Sequence, residues 1–200
     1  MKTLSELLNN IRPDTMLGMM PDSVFNAARA RGYDWGYTHY TWYHALARHF
    51  CPGHIFEIGV LEGLSLAAML LGCYESKAIG WDIEGYVAGS NKDAARNLAR
   101  CGVADRAFID HVDSQKKDIL PYADMIHIDG DHSFTGATHD LEMAFAARIP
   151  VILFDDMFNR STQCAEAGEG FLRRHAASIV DSEILPTATG LLVIQCKHPA

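Results

Sequence analysis

The chain has 200 residues, 48% hydrophobic and 21% charged, with a formal net charge of -8. That is the composition of one ordinary globular domain, long enough to bury about 70% of its unfolded surface without a disulfide or metal staple. A pI near 5.6 and the absence of any basic run argue against a nucleic-acid binder, and no apolar stretch approaches the ~20 residues that cross a bilayer.

Cys51, Cys73, Cys101, Cys164 and Cys196 are scattered, odd in number and free of any CxxC pair. That pattern predicts free thiols in a reducing compartment and no zinc site. The opening MKTLSELLNN carries Glu6 where a signal peptide has an apolar core, which predicts a cytoplasmic protein. Neither repeat nor linker divides the chain, so residues 1–200 read as one domain, a helical segment over 1–52 followed by an α/β core over 53–200.

Residues 4–11 form a short amphipathic segment stopped by Pro13, and Asp22 or Ser23 caps a helix that runs to about Arg31 and ends at Gly32. A third helix is predicted over 39–50, stopped by Cys51-Pro52-Gly53. From there the pattern alternates. Strands are predicted over 54–59, 77–83, 106–112, 123–129 and 149–154, with helices over 65–71, 92–100 and 136–148. Short apolar runs alternating with helical patterns mean βαβ units and a parallel sheet covered on both faces. After a helix over 165–177, strands over 178–185 and 191–196 flank PTATG. This connection, with Pro186 and Gly190, is too short for a parallel crossover, so the last two strands form an antiparallel hairpin.

Ligands of open α/β sheets sit beyond the carboxyl ends of the strands. Here those ends carry Glu57, Asp82 and Glu84, Asp113, Asp129 and Asp131, and Asp155 and Asp156. Crowded carboxylates repel one another unless a cation, a proton or hydroxyl donors balance them. The run from Glu57 through Gly59 and Gly63 to Ser65 reads as strand, glycine turn and helix start. Its spacing is not the GxGxxG of a pyrophosphate loop, so it suits a nucleoside with an amino-acid tail better than a dinucleotide; a plain tight turn is the alternative. Asp82 is placed to accept the hydroxyls of a ribose, with Glu84 as competitor. Asp113-Ser114 is either an adenine contact or a helix cap.

The runs Ile128-Asp129-Gly130-Asp131-His132 and Phe154-Asp155-Asp156 leave strands expected to be neighbours. Oxygen ligands so gathered suit Mg²⁺, Mn²⁺ or Ca²⁺, and His132 beside them suits general-base work near neutrality. Helix capping is the competing reading for these acids. His39, His44, His49 and His54 recur at a spacing that spreads them around a helix, which argues against a metal role. His127 reads as a hydrogen-bonded core residue and His139 as solvent-facing. The aromatic group Tyr33, Trp35, Tyr37, Tyr40, Trp42 and Tyr43 reads as helix packing, with a lid over an organic substrate as the alternative.

The segments IFEIGVLEGLSLAAML, GWDIE, HVDS, ADMIHIDGDHSFTGATHDLE and VILFDDM resemble the class I S-adenosylmethionine-dependent methyltransferases. The IDGDH motif and the DD pair are similar to those of metal-dependent sugar and macrolide O-methyltransferases. The likeness runs over 54–156 and implies a Rossmann-like, doubly wound, seven-stranded sheet, mostly parallel, with helices on both faces and the closing hairpin. It implies that Glu57, Gly59, Gly63 and Ser65 frame the methionine end of the cofactor, that Asp82 holds the ribose, and that Asp113 and Ser114 flank the adenine. Asp129 would border the cofactor and, with Asp155 and Asp156, ligate a divalent cation, Mg²⁺ foremost; Asp131 or His132 would be the base. The implied reaction is methyl transfer to a hydroxyl of a small molecule, without nucleic acid or membrane partner. A chain of this length lacks room for the extra N-terminal segments of the larger sugar methyltransferases, so acceptor and subunit number, a homo-oligomer included, do not carry over. A metal-independent methyltransferase and a non-catalytic cofactor-binding accessory protein are the alternatives.

Overall fold

The computed structural model describes Leu4, residues 36–83 and residues 90–197. Apart from Leu4, the predicted helices before residue 36 lie outside the described residues, as do Tyr33, Trp35 and Glu84. Helix α1 (Gly36–Phe50) ends where Cys51 takes a φ of 46° ahead of Pro52, which cannot continue a helix. Strand β1 (His54–Ile58), helix α2 (Leu64–Gly72), strand β2 (Lys77–Asp82), helix α3 (Ser90–Arg100) and strand β3 (Ala107–His111) follow. A single 3-10 turn over Ser114–Lys116 separates β3 from β4 (Met125–Ile128). Helix α4 (Phe134–Ala146), strand β5 (Val151–Phe154), helix α5 (Cys164–Arg174) and strands β6 (Ile179–Leu185) and β7 (Leu191–Cys196) complete the chain.

The seven strands lie in the order β3-β2-β1-β4-β5-β7-β6. β1 to β5 pair in parallel, and β7 runs antiparallel to both β5 and β6. The predicted mixed sheet with its closing hairpin is therefore observed, and the short PTATG connection leaves no other arrangement. Strand order reverses between β1 and β4, which opens a crevice above the carboxyl ends of those two strands.

Two buried clusters sandwich the sheet, because successive strand side chains point to opposite faces. Ile55, Val151 and Leu153 join α1 and α2 through Tyr43, Leu46, Leu66 and Met69 on one side. Phe56, Ile58, Ile152 and Phe154 join α4 and α5 through Leu141 and Phe171 on the other. Strands covered on both faces read as unbroken apolar runs, which is why they were visible in the sequence.

Helix α4 begins at Phe134, two residues ahead of its predicted start, because Ser133 caps it: the Ser133 Oγ accepts the Gly136 N–H at 3.1 Å. Within α4, Asp140 is fully buried; Oδ1 accepts from Gln115 Nε2 at 3.0 Å and Oδ2 has no partner among the described residues. Burial pushes its carboxyl up to about 6, against the hydrogen bonds from Ser114 and Gln115. A carboxyl raised above its unfolded value destabilises the fold when ionised, so this cost is present above about pH 6 and vanishes as pH falls towards 4. Asp140→Asn is expected to stabilise the protein at pH 7.5 by up to about 3 kcal/mol and to leave it unchanged near pH 4. Thermal unfolding of both forms across that range checks it; an equal gain at both ends would contradict the assignment.

Candidate active site

The site grows from the turn after β1. Gly59 has a φ of 87°, and a Cβ there would lie 1.9 Å from the Asp129 carbonyl oxygen, so the loops leaving β1 and β4 meet backbone to backbone. Gly63, with a φ of 71°, precedes α2 and lies against Ala94 of α3; it serves helix packing and lines neither cavity described below. Between them, the Leu61 N–H donates to Asp82 Oδ2 at 2.5 Å, which ties the glycine turn to the end of β2.

Two adjoining cavities open here, sharing Gly59, Leu61 and Asp129. The larger, about 830 Å³, has apolar walls from Ile58, Trp81, Ile83 and Val112 and polar ones from Asp82, Asp113, Ser114, Gln115, Asp131 and His132. Asp113 also caps the 3-10 turn, accepting the Gln115 N–H at 3.0 Å, and pairs with Lys116 at 3.1 Å, so the capping reading of this residue holds while it also faces the cavity. The smaller cavity, about 80 Å³, is lined by His39, Tyr40 and Tyr43 of α1 together with Ser65, His127, Asp129 and Asp155.

Glu57 lies in neither lining. It is fully buried, accepting from the Ser65 hydroxyl and from His127 Nδ1 at 2.7 Å. That bond engages Nδ1, while His127 Nε2 is buried and has no partner among the described residues; burial opposes the charged ring, but Glu57, Asp129 and Asp155 outweigh it and raise its pKa. His127, Asp129 and Asp155 offer one ligand atom each, all within 4.8 Å of one another.

Asp155 is the most heavily bonded of the acids. Its carboxylate accepts from the Tyr43 hydroxyl at 2.9 Å, the Thr189 hydroxyl at 2.7 Å and the Asp156 N–H at 2.7 Å. His39 stands 3.6 Å away and donates to Thr189 at 2.7 Å. Burial opposes ionisation of Asp155, but His39, His127 and Thr189 outweigh it and hold the carboxyl well below the usual range. Asp129 goes the other way: burial and the neighbouring Asp155 push it up to about 6 against His132 and His127. One ionised and one raised carboxyl side by side are the outcome expected of two like charges held within 4.8 Å of one another.

The remaining acids, Asp156 and Asp131, are held by other partners. Asp156 has a φ of 66°, and its carboxylate takes Asn159 Nδ2 at 3.0 Å and His132 Nδ1 at 3.3 Å, so it stands outside the three-residue ligand group, with His127 in its place. Asp131 is exposed; it accepts the Ser133 N–H at 2.8 Å and folds over Gly136 in the first turn of α4, a capping role. His132 bridges Asp129, at 3.1 Å, and Asp156, and its pKa is raised by the Asp129 hydrogen bond. His139 bonds the carbonyls of Ser114 and Lys117 and lines neither cavity. Tyr40 and Tyr43 read in the sequence as helix packing or as a lid over an organic substrate, and His39 only as a histidine without a metal role. Their placement one helical turn apart was the available signal, but nothing in the sequence says which strand end a helix face meets.

Residues 56–157, just over half of the chain, match the sequence profile of a family described as a methyltransferase domain. The chain belongs to this methyltransferase family. The class I, S-adenosylmethionine-dependent kind implied by the motifs is thereby met, and the Rossmann-like methyltransferase fold with it. SAH-bound methyltransferase PaMTH1 of Podospora anserina superposes with a TM-score of 0.71 at 18% identity, covering 98% of this chain and 94% of that one. An O-methyltransferase from Bacillus cereus in complex with SAH gives 0.69 at 18%, covering 94% and 93%. The O-methyltransferase TomG from Streptomyces achromogenes, involved in tomaymycin synthesis and solved with SAM, gives 0.63 at 15%, covering 78% of each chain. At such identities the likeness speaks for the fold alone. No curated protein sequence matches the chain.

Proposed function

We propose that this methyltransferase transfers the methyl group of S-adenosylmethionine to a hydroxyl oxygen of a small molecule, assisted by a divalent cation. The observation that carries this reading is the meeting of two unlike cavities at Gly59, Leu61 and Asp129: a nucleoside-sized cleft and a small pocket walled by acids and imidazoles. The solved relatives with SAH or SAM bound support it.

In the larger cleft, Asp82, oriented by the Leu61 N–H, accepts ribose hydroxyls. Asp113 and Ser114 flank the adenine between Trp81, Ile83 and Val112. Gly59 gives the methionine tail a bare backbone to approach, while Glu57, Ser65 and Gly63 set the turn from behind. The sulfonium supplies a methyl group ready for displacement by a correctly aimed oxygen, and holding the two in line is worth on the order of 7–11 kcal/mol at best.

The donor set fits a cation. His127 Nε2 is orphaned and its Nδ1–H is held by Glu57, the carboxylate-histidine arrangement that typically backs a metal ligand. His127, Asp129 and Asp155 would hold the ion, with Asp156 acting through His132 rather than directly. A cation bound there lowers the pKa of an acceptor hydroxyl. Of the two candidate bases, Asp131 caps its helix and His132 lies beside the ligand group, but Asp129 at Nε2 and Asp156 at Nδ1 occupy both imidazole nitrogens, so His132 takes the hydroxyl proton only by giving up one of these bonds. Tyr40 and Tyr43 shield the smaller pocket from water, which keeps an incipient alkoxide nucleophilic.

One observation favours a metal-free variant: hydroxyl and amide donors already occupy both oxygens of Asp155. Chelation separates the two, since EDTA would leave a metal-free enzyme fully active.

Calorimetric titration with SAH, with and without Mg²⁺ or Mn²⁺, tests the proposal. Saturable binding is expected, weakened at least about tenfold in Asp82→Ala, since a charge-assisted hydrogen bond is worth about 1.5–3 kcal/mol. Absence of saturable binding by the folded protein would defeat it.

A further inference from the structure

Cys51 and Cys73 stand 22 residues apart in sequence, yet their sulfurs lie 3.2 Å from each other in a thiol–thiol hydrogen bond. Cys51 follows α1 and is exposed; Cys73 caps the C-terminus of α2 and is buried. We propose that this pair is a dithiol modification site, which a low-molecular-weight disulfide converts to an intramolecular disulfide that staples α1 to α2.

The geometry asks little of the chain. A covalent S–S bond is about 2.05 Å long, so the sulfurs need to close by only about 1 Å. Cys73 is held firmly for the reaction: its N–H donates to Met69, and Arg106 donates to the carbonyls of Leu70, Cys73, Tyr74 and Ser76 at 2.9–3.1 Å. Below it, Gly72 lies against the His44 carbonyl and the Ala47 side chain, so the ends of α1 and α2 are in van der Waals contact.

The two thiols divide the chemistry. Cys51, in reach of solvent, attacks the incoming disulfide, forming a mixed disulfide and expelling one small thiolate. Cys73 then attacks the Cys51 sulfur and expels the second. Two protein thiols are oxidised, two small thiols are released, and electrons and protons balance. The hydrogen bond to Cys73 raises the Cys51 thiol, while hydrogen bonds from Ser76, Cys51 and the backbone favour the Cys73 thiolate although burial opposes it, so Cys73 takes up the Cys51 proton as Cys51 attacks. The other three cysteines stand apart: burial pushes Cys101 up to about 11, Cys164 to about 12 and Cys196 to about 11, so they remain unreactive thiols.

The bond closes a loop that contains β1, the Gly59–Gly63 turn and α2, and it anchors the helix whose His39, Tyr40 and Tyr43 wall the smaller cavity. The oxidised form therefore holds that wall in place.

The full-length reduced protein treated with oxidised glutathione decides the matter. Denatured thiol counts are expected to fall from five to three, with one peptide pair linked through Cys51 and Cys73 on mass spectrometry. The thermal midpoint is expected to rise by about 5–10 °C, reversibly with dithiothreitol. Cys51→Ser, an exposed and conservative change, should show neither effect while folding normally. Five persisting thiols, a glutathione adduct on Cys51 that never resolves, or a cross-link between other cysteines would each overturn the proposal.

Discussion

Gly59→Ala is expected to destabilise the protein by about 3–5 kcal/mol, a fall in thermal midpoint of 10 °C or so, and to abolish SAH binding. Two costs add. At a φ of 87° a side chain pays left-handed strain of about 1–2 kcal/mol. The new Cβ would also lie 1.9 Å from the Asp129 carbonyl oxygen, 2.5 Å from its carbon and 3.0 Å from the Gly130 nitrogen, all backbone atoms that no rotamer change can move. The loops after β1 and β4 must part, and they carry the shared wall of both cavities. Gly102→Ala is the control: its φ is 70°, but nothing lies within 4 Å of the added carbon, so only the strain of about 1 kcal/mol applies. Equal losses in the two variants, measured by thermal or urea unfolding, would show that the contact with Asp129 contributes nothing.

Asp155→Asn carries the largest expected effect on chemistry. The substitution keeps the side-chain shape, and the Tyr43 and Thr189 hydroxyls can turn to suit an amide, so the stability cost should stay within about 2 kcal/mol. It removes the one acid of the group held firmly ionised. Mn²⁺ affinity by calorimetry is expected to fall at least about 100-fold, more than a change behind a ligand brings. Turnover on any accepted hydroxyl compound should fall by a similar factor, about 3 kcal/mol of barrier. SAH affinity should stay nearly unchanged, because Asp155 lines only the smaller cavity. Asp156→Asn should lose less Mn²⁺ affinity, since that carboxylate faces His132 and Asn159. Should Asp156→Asn prove the more damaging to metal binding, the ligand group would have to be redrawn around the DD pair.

The strands were legible because each is an apolar run bounded by turn residues, and the closing hairpin because PTATG is too short for anything else. Acids at strand ends were legible for the same reason: once a strand is placed, its last residue is placed with it. Asp82 and Asp113 border the larger cavity, Asp155 the smaller and Asp129 both. Their partners were not legible. His127 looks in sequence like one more core residue of β4, and only its pairing in register with Glu57 of β1 turns Nδ1 inward and leaves Nε2 bare. Asp156 was indistinguishable in sequence from its neighbour Asp155, and only the resemblance set Asp131 apart from Asp129. Backbone geometry separated them, through the helix cap at Ser133 and the left-handed turn at Asp156.

By itself the sequence determined the strands, the hairpin and the glycine turn, because these follow from periodicity and spacing along the chain, and its motifs carried the resemblance that named the family. The tertiary structure alone decided which side chains share a pocket. Contact between α1 and the ends of β1, β4 and β5 brings Tyr43 to Asp155, and contact between α1 and α2 brings Cys51 to Cys73. Both pairings depend on how helices pack across a sheet, and that packing sums many small contacts distant in sequence, with no local pattern to announce it.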